Sequence, residues 1–163
     1  MDRRLVLVVL AMVLMASSVV FVQKDKSGPL RVYVFTKEAK FVDADSKARA
    51  DSVKDVRRHL ENKKKTVALV DDRGSADMTL EVLGRDLVPT GDMTTVWDPV
   101  LGNTKTTQNA AGTLWVKMTV GDYSTTVVGR GGAFAGAWSV AADDVSAKVD
   151  QWIKDNGAKV ERK

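Results

Sequence analysis

The chain has 163 residues, 44% hydrophobic and 28% charged, with a formal charge of +4 of which Asp2, Arg3 and Arg4 account for +1. This balance excludes a disordered polymer, and the spread of Lys and Arg among acids forms no basic stripe, so nucleic acid is not an expected partner. Cysteine is absent, which excludes disulfides, thiolate zinc sites, a cysteine nucleophile and a lipidated amino-terminal cysteine.

Residues 1–22 read as an export segment. Arg3 and Arg4 precede an apolar run starting at Leu5, and Ala16, Ser17 and Ser18 supply small residues for a peptidase. Val19, Val20, Phe21 and Val22 then extend the run to 18 residues, the length at which a helix can span a bilayer. Two readings follow: a cleaved signal peptide, favoured by the small residues, and an uncleaved inner-membrane anchor over residues 5–22. Either places the remainder outside the cytoplasm, periplasmic or secreted, with a bacterial envelope as the expected compartment. Contact with a membrane is expected only through an uncleaved segment. Residues 23–30 read as a linker, 31–157 as one domain and 158–163 as a basic tail.

Val32, Tyr33, Val34 and Phe35 predict a first strand, near the centre of a sheet and covered on both faces. Asp43, Asp45 and Ser46, or later Ser52 with Asp55, offer helix starts. Val53, Val56 and Leu60 make the apolar stripe of that helix, and Lys63, Lys64 and Lys65 suit its negative end. Residues 67–70 predict a second strand. Met78, Leu80 and Val82 begin a third, with a bulge at Gly84 and an end at Pro89.

Residues 90–112 are polar and threonine-rich, and are either a hairpin projecting around residues 98–103 or a functional excursion. Leu114, Val116, Met118 and Val120 alternate with Trp115, Lys117 and Thr119. Gly121 and Asp122 then turn the chain into residues 123–128, the clearest hairpin signal present. Residues 129–136 read as a glycine-rich, flexible connection, after which Trp138, Ala142, Val145, Val149 and Trp152 recur at helical spacing and Asn156-Gly157 closes the helix. The order predicts an α+β fold: a mainly antiparallel sheet of about five strands with two helices packed on one face.

The run Ala76-Asp77-Met78-Thr79-Leu80-Glu81-Val82, after a helix and a short strand, resembles the alanine-aspartate step of envelope accessory domains of the TolB amino-terminal and curli-secretion type. That resemblance implies a binding or assembly domain without catalysis. The chain departs from the lipoprotein members in having no cysteine for lipid attachment.

His59 is the only histidine, so a two-histidine metal site is excluded and any serine triad must use it; it reads as a surface residue of the first helix. Asp71, Asp72 and Asp77 lack the ligand spacing of a calcium loop and read as turn residues. Asp143 and Asp144 suit the positive end of the last helix and are poor candidates for an acid–base pair. No catalytic residue, metal ligand or cofactor is therefore assigned. Met93, Val96 and Trp97 are the candidate contacts for an envelope protein, because a tryptophan in a polar segment is costly to expose. Trp138 and Trp152 read as core residues. Gly129, Arg130, Gly131 and Gly132 are the alternative site, where backbone amides and an arginine could cradle a small anion. Oligomeric state is not readable from the chain.

Overall fold

The computed structural model describes residues 28–37, 44–132 and 136–162. Its elements are β1 (Leu30–Phe35), α1 (Ala44–Glu61), β2 (Val67–Leu69), β3 (Met78–Asp98), β4 (Asn103–Val120), β5 (Tyr123–Arg130) and α2 (Ala137–Asn156), closed by a 3-10 turn at Gly157–Lys159. The expected export segment, residues 23–27 of the linker and Asp43 lie outside the described residues. Among the described residues no helix is long and apolar enough to cross a membrane.

The strands form one sheet in the order β2-β1-β3-β4-β5. The class is α+β with two helices, as the pattern predicts, but the sheet is mixed: β1 runs parallel to β2 and β3, while β3, β4 and β5 are antiparallel. The cause is α1, which carries the chain back to the end where β1 began, so β2 must enter in the same direction.

One sheet face holds the core. Val32 and Val34, Leu80 and Val82, and Val116 and Met118 are buried against Val56 and Leu60 of α1 and Val145 and Val149 of α2. Each such side chain contributes about 1.5–3 kcal/mol by leaving water. β1 is covered on this face alone, not on both, since Arg31, Tyr33 and Phe35 alternate with its buried residues and remain half-buried. Tyr33 and Phe35 shield each other by stacking at 5.4 Å, and the Arg73 guanidinium lies 5.1 Å from the Phe35 ring.

Other local expectations change for identifiable reasons. α1 does not restart at Ser52; that residue is buried within the helix and its hydroxyl donates to the Ala48 carbonyl at 3.0 Å. Pro89 does not end β3, which continues to Asp98. β1 pairs only as far as Glu81, so the missing Pro89 N–H deprives no neighbour on that edge. The bulge expected at Gly84 is present as a register shift between Val82 and Gly84. Leu30 belongs to the strand rather than the linker, and the tail docks, with Val160 buried and Arg162 donating to the Gly28 carbonyl at 2.7 Å.

The alanine-aspartate step also has a physical content. Asp77 accepts from the Arg31 backbone N–H at 3.0 Å and from Arg31 Nε and Nη2 at 3.1 and 2.8 Å, while its own N–H donates to the Arg31 carbonyl. A buried carboxylate thus joins the start of β3 to β1.

Candidate functional site

β1 leaves β3 at Glu81 and β5 leaves β4 at Thr113, so beyond these points β3 and β4 run on as a two-stranded ribbon. This is the hairpin alternative for residues 90–112. The ten residues of β4 ahead of Thr113 carry the tip about 30 Å beyond the body of the sheet, at about 3.3 Å per residue. A register shift between Pro89 and Met93, with Gly91 at a φ of 86°, interrupts the ribbon near its base.

Cross-strand pairing assigns its faces. Met93 opposes Gln108, Thr95 opposes Thr106 and Trp97 opposes Thr104 on one face; Thr94 with Thr107 and Val96 with Lys105 lie on the other. Counted along β4, the Met93 and Trp97 face continues the face that meets the helices. Met93 and Trp97 therefore share a surface, while Val96 points away from it. All three are exposed, Met93 by 67% and Trp97 by 59%.

The tip is built by Asp98. Its carboxylate accepts from the N–H groups of Val100 at 2.9 Å and Leu101 at 3.1 Å, and its carbonyl accepts from Gly102 N–H at 2.9 Å. Gly102 supplies the positive φ, 63°, that closes the turn. Val100 and Leu101 are held outward in this turn, 89% and 70% exposed. Sequence reasoning did not select them. The available signal was an apolar pair inside a turn bounded by Asp98 and Gly102.

The glycine segment has a different structural basis. Gly129 and Arg130 end β5, and a Cβ on Gly129 or Gly131 would overlap the carbonyl of Ala141 or Ala137. These glycines let α2 lie directly on the sheet, so residues 129–131 are a packing contact rather than a flexible connection. Two of the amides expected to cradle an anion are committed: Arg130 N–H donates to Asp144 at 2.9 Å and Gly131 N–H to the Gly112 carbonyl at 2.7 Å. The cavity beside Gly131 and Gly132 is lined by Asp92 and by Thr90, Thr94, Thr107 and Asn109, with no Lys or Arg.

The carboxylates diverge. Asp71 pairs with Arg57 at 2.6 Å, Asp72 accepts from Ser75 N–H at 2.9 Å, and Asp77 holds Arg31. Asp144 binds Lys148 at 2.8 Å, and Asp143 lies 3.2 Å from His59. Partial burial raises the Asp144 pKa, but the bonds from Lys148 and the Arg130 amide outweigh this and hold it below the ordinary carboxylate value. No group of three or more metal-ligating side chains forms among the described residues. Trp138 lies half-buried under the Arg85 guanidinium, 4.9 Å from its ring, and Trp152 stacks on Tyr123 at 5.8 Å.

No family model and no curated protein matches the chain. Among solved structures it is similar to a PelC dodecamer from Paraburkholderia phytofirmans, with 14% identity over 76% of this chain and 90% of that one and a TM-score of 0.40, a likeness too distant to bear on function.

Proposed function

We propose that the chain is a non-enzymatic extracytoplasmic binding or assembly domain that holds an envelope protein through the ribbon tip. The observation that carries this reading is the tip itself: Val100 and Leu101 stand in water on a turn fixed by three hydrogen bonds to Asp98, and Trp97 is exposed beside it near the end of β3. Exposed apolar side chains on an ordered turn lose less entropy on docking than those of a loose loop, and a two-stranded ribbon gains stability from a partner.

The direction of the ribbon supports the same reading. Met78, where β3 begins, lies beside Val32, and Thr79 pairs with Thr119 near the far end of β4. The chain therefore enters the sheet at the end opposite the ribbon. With residues 5–22 retained as an anchor, the tip would point away from the membrane. The extracytoplasmic placement itself rests on the apolar run and on the resemblance of residues 76–82 to envelope accessory domains.

The test places a photocrosslinking residue at position 100 in native cells and identifies captured proteins by mass spectrometry. A single reproducible envelope partner, lost on Leu101→Asp without change in circular dichroism, is the expected result. Capture that is indifferent to Leu101→Asp and Trp97→Ala would refute the ribbon as the contact.

A further inference from the structure

At the end of the sheet opposite the ribbon, the β4–β5 turn, the last turns of α2 and the closing 3-10 segment enclose an open groove of about 790 Å³. Its floor is aromatic. Trp152 is half-buried and packs on the core, and Tyr123 lies over it with ring centroids 5.8 Å apart and planes 17° from parallel. Tyr123 is 51% exposed, so the outer layer of this stack remains open to water. The rim carries Asp122, Asn156, Lys159 and Glu161. Asn156 is oriented by its own bond, Nδ2 donating to the Trp152 carbonyl at 3.1 Å.

Two features decide the ligand class. Parallel stacked rings present a flat platform, which suits a ring-shaped ligand; an alkylammonium ion is better held by walls set around it. Among the described residues the rim has two carboxylates against one ammonium, which disfavours a ligand bearing phosphate. A sugar satisfies both conditions. The C–H face of a neutral sugar stacks on an aromatic ring, its hydroxyls both donate and accept, and it brings no charge to the rim.

We propose that this groove binds a neutral saccharide, with one ring stacked on Tyr123 and its hydroxyls bonded to the Asn156 amide and the rim carboxylates. The site is independent of the ribbon, at the other end of β4, so either can fail without the other.

The experiment titrates the full chain with the neutral hexasaccharides cellohexaose, maltohexaose and fully N-acetylated chitohexaose, following tryptophan fluorescence and the backbone amide signals of Gly121 and Asn156. Adenosine monophosphate and tetramethylammonium serve as comparison probes. Saturable binding of at least one hexasaccharide, at about 1 mM or tighter, is expected. It should weaken at least tenfold in Tyr123→Ala and persist in Tyr123→Phe. The Tyr123 side chain is half exposed, so both variants should fold, as circular dichroism will verify. No response to any hexasaccharide, saturation by a comparison probe alone, or saccharide binding unchanged in Tyr123→Ala would each overturn the proposal.

Discussion

Ser139 Oγ lies 3.0 Å from Nε2 of His59, the single histidine of the chain, and joins α2 to α1. Arg58 Nη2 donates to the same hydroxyl at 2.9 Å, and His59 Nδ1 lies 3.2 Å from Asp143. The series is self-consistent when Ser139 donates to Nε2 and the Nδ1 proton faces Asp143. Its order resembles a nucleophile, base and acid, but Asp143 is 61% exposed, whereas the acid of a working triad is buried and orients its histidine without competition from water. An interhelical clamp is the better account. His59→Ala should destabilise the fold by about 1 kcal/mol in urea titrations, because water can replace most of these bonds. A fluorophosphonate probe should leave Ser139 unmodified; labelling abolished by His59→Ala would make the pair catalytic instead.

The close approach of α2 to β5 gives a sharper stability prediction. Gly131→Ala would drive a methyl group into the Ala137 carbonyl, and Gly129→Ala would drive one into the Ala141 carbonyl and the Val145 side chain. Backbone cannot yield as a flexible side chain can, so α2 must lift from the sheet. Each variant should lose about 2–4 kcal/mol or fail to fold, in the range of severe overpacking. Gly84→Ala has open space around its Cβ and should cost far less. Equal thermal stability of all three variants would show that residues 129–131 are the flexible segment their composition suggests.

That contrast also marks what was legible in the sequence. The β4–β5 hairpin was readable because alternation at Leu114, Val116, Met118 and Val120 and the turn at Gly121 are local features. The glycines at 129 and 131 read as flexible because the carbonyls that require them, of Ala141 and Ala137, meet them only once α2 has folded back onto the sheet. The parallel pairing of β1 was hidden for the same reason: strand neighbours are chosen by the path of α1, not by the composition of residues 32–35. At the ribbon, Trp97 attracted notice by its chemistry, but Val100 and Leu101 acquire meaning only once Asp98 is seen to fix the turn.

The ribbon faces divide the contact residues. Met93 and Trp97 share one surface, and Val96 lies with Lys105 on the other. If the partner docks on the Trp97 face and tip, Trp97→Ala and Leu101→Ala should each weaken capture about tenfold or more, as central apolar contacts do, while Val96→Ala changes it less than threefold. Asp98→Ala should weaken capture without touching the partner, by freeing the amides of Val100 and Leu101 and loosening the turn. All four side chains are remote from the core, so melting temperatures should stay near that of the parent. A loss confined to Val96→Ala would place the contact on the opposite face.

Acid should destabilise the fold through α2. Burial raises the Asp150 pKa, but bonds from Lys154 at 2.7 Å and from the Thr66 hydroxyl outweigh it and hold the pKa below the ordinary carboxylate value; Asp144 is lowered likewise. A carboxylate with a lower pKa folded than unfolded contributes stability above its unfolded value, about 3.9, and loses it as pH falls through the folded value. Melting temperature should therefore be nearly level from about pH 7 to 5 and fall below about pH 4. The double variant Asp144→Asn, Asp150→Asn should start lower at neutral pH, having lost both charge-assisted bonds, and fall less on acidification. An acid limb of undiminished steepness in that variant would assign the pH dependence to other carboxylates.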